Sequence, residues 1–106
     1  MDASTFPQQR LRELIAQSMA RLPGDLQAWA HNHLTPPRVV AVALDAEGSQ
    51  FKDVWLITDH TGDADSSLRV VYDADLKKFG HECRLASGVS WYMGAIGTFA
   101  EAVEGM

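Results

Sequence analysis

Leu68-Arg-Val-Val-Tyr-Asp73, a turn, Phe79-Gly-His-Glu-Cys-Arg-Leu85, a second turn, then Val89-Ser-Trp-Tyr-Met93: the reading of this stretch decides the fold. Apolar and polar residues alternate with the period of two that a pleated strand imposes. Leu68, Val70 and Tyr72 share one face and Arg69 and Asp73 the other. A meander of this kind has one apolar side to cover, and the chain carries candidate helices at both ends. The polar side is expected to lie open to water.

Working outward, Thr5-Phe6-Pro7-Gln8 reads as a helix start, with threonine at the cap and proline in the first turn. Leu11, Leu14, Ile15, Met19 and Leu22 then recur at steps of three and four, and the amphipathic helix is expected to run to Pro23-Gly24. Asp25 suits the cap of a shorter second helix burying Leu26, Trp29 and Ala30 or His33, which Thr35-Pro36-Pro37 would terminate. Arg38 to Leu44 is rich in valine and alanine, the composition of a strand buried on both faces. Phe51 to Thr58 is a second strand with Val54 and Leu56 opposite Trp55 and Ile57. The polar loop Asp59 to Ser67 follows, and Ser87-Gly88 suits a tight two-residue hairpin. Thr98-Phe99-Ala100-Glu101 is a capping box opening a last helix, with Phe99, Val103 and Met106 along one side. The order predicts a single α+β domain spanning 1–106: two N-terminal helices, an antiparallel five-stranded β-meander, and a short C-terminal helix packed on one sheet face.

The 106 residues suit one core, and no apolar run approaches the roughly 20 residues a membrane-spanning helix needs. An acid stands near the amino terminus where a secretory signal would carry a base, and one cysteine, Cys83, cannot form an intrachain disulfide. These features predict a cytoplasmic protein. The net charge of −5 is uneven. Residues 45–75 hold eight acids (Asp45, Glu47, Asp53, Asp59, Asp63, Asp65, Asp73, Asp75) against Lys52 and Arg69. Such a middle argues against nucleic acid as a partner, because phosphate recognition needs a basic surface.

No catalytic or cofactor signature is present. His31-Asn32-His33 sit adjacent on a helix and point in different directions, so they cannot converge on one metal. His81 and Cys83 share a strand face but lack any CxxC or HxxxH companion spacing. Gly94-x-x-Gly97-Thr98 lacks the lysine of a phosphate-binding loop, and an EF-hand begun at Asp63 would meet Leu68 and Ala74 where glycine and glutamate belong.

Three functions follow as expectations, with no cofactor expected apart from the metal ion that the third would need. The first is a non-enzymatic interaction module, of bacterial immunity or inhibitor type, presenting an acidic face to a basic protein partner. Asp45, Asp53, Asp59, Asp63, Asp65 and Tyr92 would make the contact, and the acids would imitate the phosphates of a nuclease-like partner's substrate. The second is a small-molecule-binding domain or homodimer with a pocket between sheet and helices, using Trp29, Trp55 or Trp91. The third is a metal-dependent hydrolase built on the Asp59–Asp65 loop with His60 nearby.

Overall fold

The computed structural model describes residues 5–45, 47–59 and 68–105, without the side chains of residues 5–7. The elements, in order, are α1 (Thr5–Met19), α2 (Gly24–His33), β1 (Leu34–Ala43), β2 (Phe51–Thr58), β3 (Leu68–Asp73), β4 (Lys78–Arg84), β5 (Ser90–Gly97) and α3 (Phe99–Glu104). Two N-terminal helices, a five-stranded antiparallel meander and a terminal helix packed on the sheet thus appear as the patterning predicts.

The apolar stripe of α1 is buried at Leu11, Ile15 and Met19, with Leu22 just beyond the helix and Leu14 half-buried. The helix proper stops at Met19, short of Pro23-Gly24. Its last carbonyls are satisfied by Gln27, whose Nε2 donates to the oxygens of Met19 and Leu22 at 3.0 Å each. The Thr5 cap and Met106 lie outside what is described. At α2 the expectation fails: Pro23 holds the cap position without any side-chain hydrogen bond, and Asp25 lies inside the first turn. There its charge still complements the positive end of the helix dipole.

β1 departs from expectation twice. It starts at Leu34 and takes in Pro36 and Pro37, with an irregular register between Leu34 and Arg38. Proline is tolerated because the ladder with β2 is interrupted between Leu34 and Arg38, so neither missing N–H removes a ladder hydrogen bond among the described residues. Nor is β1 buried on both faces: Val39 is 54% exposed and Ala41 is exposed, whereas Val42 is fully buried.

The larger correction concerns the sheet's second face. Successive strands pair antiparallel, and an odd number of them leaves the first and last running the same way. β1 and β5 meet in parallel at Ala43 and Trp91, closing the meander into a barrel. Alternation then separates two apolar clusters. Val42, Val54, Leu56 and Val71 pack inside with Val40 and Tyr92. Ile57, Val70 and Phe79 on the outer wall pack with Trp55 and Tyr72 against the three helices. Arg69 and Asp73, expected toward water, are enclosed in the barrel.

The β4–β5 ladder carries two register shifts. Between them the strands approach so closely that a Cβ on Gly80 would overlap the carbonyl oxygen of Gly94 and stand 3.0 Å from the Cα of Ala95. The hairpin joining these strands has a three-residue loop, not two: Leu85 N donates to Val89 O and Gly88 N to Leu85 O, both at 2.8 Å. Gly88 takes φ +90°, as the last loop position of such hairpins requires. The α3 capping box forms as read, with Thr98 Oγ1 accepting from Glu101 N and Glu101 Oε1 accepting from Thr98 N. Ser18 Oγ of the α1 turn accepts from Ala100 N at 2.6 Å, tying the two ends of the chain together. Among the described residues, no helix is long and apolar enough to cross a membrane.

Candidate functional site

Barrel closure places ionisable side chains in two interior clusters. At one end Asp73, fully buried, accepts from Lys52 Nζ at 2.7 Å and from the Tyr92 hydroxyl at 2.9 Å through Oδ2. Its Oδ1 accepts from the amides of Asp75 and Leu76 at 3.0 and 3.4 Å, pinning the β3–β4 turn. Lys52 also reaches Asp75 at 3.3 Å. Burial works to raise the Asp73 carboxyl. Lys52, Tyr92 and the Leu76 amide outweigh it and hold the group below the usual 3.8. The bond to Asp73 conversely raises Lys52 above 10.5. The Tyr92 hydroxyl is raised by burial and by the adjoining carboxylate. All four lone-pair positions of Asp73 are occupied, so it has no free acceptor with which to take a substrate proton. The cluster's chemistry is structural.

At the other end Arg69 and Glu82, cross-strand partners on β3 and β4, pair through Nε and Oε2, and Arg69 Nη1 lies 3.6 Å from Asp59 Oδ1. Glu82 is fully buried, and its Oε1 has no hydrogen-bond partner among the described residues. Close by, Thr58 Oγ1 accepts from Val70 N at 2.9 Å.

The remaining sequence-predicted residues are dispersed. Asp45 sits in the β1–β2 turn, where its carboxylate accepts from Ser49 N at 2.8 Å and from Ser49 Oγ. Those bonds lower its carboxyl, the hydroxyl most of all. Asp53 is exposed on the outer face of β2. Asp59 lies six residues further, roughly 20 Å along the strand direction, half exposed and beside Arg69. Asp63, Asp65 and His60 fall outside the described residues. Tyr92 turns its hydroxyl inward to Asp73, so the described members of the contact set drawn from sequence are not gathered on one face. Nor are the tryptophans. Trp29 stacks on His33 with ring centroids 4.2 Å apart, Trp91 is half-buried on β5, and Trp55 packs beneath α1. His81 Nε2 is 2.7 Å from Ala102 O, and because a carbonyl only accepts, that nitrogen carries the proton. Among the described residues no group of three or more His, Cys, Asp or Glu side chains is placed to hold a metal ion.

Two of the surfaces that the described residues leave open bear on function, beside a further groove of about 530 Å³ between α1 and the start of β1. One is a groove of about 490 Å³ between α1 and the outer wall, lined by Arg10, Leu11, Leu14, Trp55, Tyr72, Ala74 and Lys77. The other is the upper outer wall, where Val39 faces Trp55, Ala41 faces Asp53 and Ala43 faces Phe51 across the β1–β2 ladder. Phe51 is 61% exposed, and a Cβ on Gly48 would touch both it and Val89, which places those two side chains side by side.

Lys52, Arg69 and Glu82 carry the interior charge and went unrecognised in the sequence. A signal for the latter pair existed: the β3–β4 hairpin, centred on residues 74–77, sets Arg69 opposite Glu82. Opposite charges placed directly across two strands mark a cross-strand ion pair, although that alone does not say which face is enclosed. Comparison with known proteins gives no match, whether among family models, curated proteins or solved structures.

Proposed function

We propose that this protein is a small non-enzymatic interaction module, of immunity or inhibitor type, that docks a basic protein partner through the upper outer wall of β1 and β2. Phe51 carries the reading. A large aromatic ring 61% exposed on a strand, beside the exposed carboxylate of Asp53 and above small Ala41 and Ala43, has the form of an anchor flanked by an acid. Val39 and Val89 extend its apolar surroundings, and exposed Glu47 lies in the adjoining turn. The net charge of −5 favours approach of a cationic partner. Asp45 and Asp59, engaged with Ser49 and Arg69, have a lesser part than Asp53 in this arrangement.

The test is capture from native-host lysate with the wild type and Phe51→Asp side by side, then association kinetics of the captured protein in low and high salt. The expected partner is basic, binds the wild type only, and associates more slowly as NaCl rises. A partner held equally by both proteins, or an association rate indifferent to salt, overturns the reading. Sedimentation showing that the wild type dimerises through Phe51 would replace it with self-association.

A further inference from the structure

We propose that the groove between α1 and the outer wall of β2 and β3 binds an aromatic carboxylic acid of one or two rings. This site adjoins the Phe51 wall at Trp55, which faces Val39, but does not depend on the docking proposed there. Its floor is made by Trp55 and Tyr72, which face each other directly across the β2–β3 ladder. Leu11 and Leu14 of α1 form one wall. Two aromatic rings and two leucines make an apolar slot into which a flat ring fits better than a branched or hydrated group. At about 490 Å³ the groove lies within the range of small-ligand sites.

The charge at the mouth selects the ligand's polar end. Arg10 and Lys77 both line the groove, and among its described lining residues there is no acid. Two cations lining one apolar slot are conspicuous on a chain of net charge −5. Glu13 pairs with Arg10 at 3.2 Å, but both side chains are more than half exposed, and so weak a surface bridge yields readily to a ligand carboxylate. A guanidinium can take that carboxylate in bidentate fashion while Lys77 contributes a second charge.

Titration of the intact protein with 2-naphthoate, followed by tryptophan fluorescence and amide and indole NMR shifts, tests the assignment. Naphthoate is expected to shift the Trp55 indole and the Tyr72 region. The uncharged 2-naphthamide and the acyl probe octanoate are expected to bind more weakly. Replacing both cations (Arg10→Gln with Lys77→Gln) should weaken naphthoate binding roughly three- to tenfold, since each exposed charge contact is modest. Both side chains are solvent-exposed, so the variant retains its fold, verifiable by its NMR spectrum. Equal affinity for the amide, preference for octanoate, an unchanged affinity in the double variant, shifts centred on Trp29 or Trp91, or no binding at millimolar naphthoate would each overturn the proposal.

Discussion

Removing the Lys52 ammonium from Asp73 is expected to destabilise the barrel strongly at neutral pH and far less in acid. Exposed ion pairs contribute about 0–1 kcal/mol, whereas stripping one partner from a fully buried pair costs about 3–5 kcal/mol. This pair lies between those limits: Asp73 is fully buried, while the Lys52 side chain is 22% exposed. Asp73 also keeps the Tyr92 hydroxyl and two turn amides when Lys52 is gone. Lys52→Met should therefore cost about 2–3 kcal/mol at pH 7. The sign of the pH dependence follows from Asp73, whose folded-state carboxyl titrates below the ordinary 3.8. A depressed carboxyl contributes stability above its unfolded value and loses it as pH falls through the folded one. Without Lys52, burial acts with less opposition and the carboxyl rises. The gap between wild type and variant should thus narrow as pH falls through the variant's raised carboxyl value and on through the wild type's depressed one. Urea denaturation of the wild type, Lys52→Met, Asp73→Asn and the double variant, from pH 7 down to about pH 2, isolates the pair from every other titrating group. A coupling energy below about 0.5 kcal/mol at pH 7, or one that does not change with pH, would refute the reasoning.

Three further outcomes follow. Gly80→Ala should cost more than about 3 kcal/mol or prevent folding, because its Cβ collides with backbone at Gly94 and Ala95, where little can give. A circular-dichroism melt within a few degrees of wild type would contradict this. Ser18→Ala should cost about 1–3 kcal/mol by orphaning the buried amide of Ala100, read as a fall in Tm of several degrees. Glu82→Gln alone should destabilise by about 3 kcal/mol or more by leaving Arg69 poorly matched, whereas Arg69→Met with Glu82→Leu should be neutral or stabilising, because Oε1 of Glu82 is unsatisfied already. Urea midpoints for the two proteins check this, and it fails if the apolar pair is the less stable.

Local chemistry alone determined a good part of the molecule. Strands β2 and β3 occupy the residues that alternation marks out, and Thr98 and Glu101 form their capping box because both halves of that interaction lie within one helical turn. Leu11, Ile15 and Met19 face the core because helical period leaves them no other arrangement around a shared stripe. That Trp55 and Ile57 share a face opposite Val54 and Leu56 was also legible. What only the tertiary structure decided is what the other side of the sheet meets. A period of two states which residues share a face and is silent on whether that face meets water, a helix or the sheet itself. The answer came from a pairing between Ala43 and Trp91, 48 residues apart, together with the two register shifts of the β4–β5 ladder, where β5 carries the extra residues Met93 and Ile96 and lets the sheet curl. Once the sheet closes, Asp73 and Glu82 are cut off from solvent and Arg69 keeps only a slight exposure beside Asp59. Their charges must then be satisfied by one another, by Lys52 and by Tyr92, because the low-dielectric interior makes an unpaired charge too costly to keep.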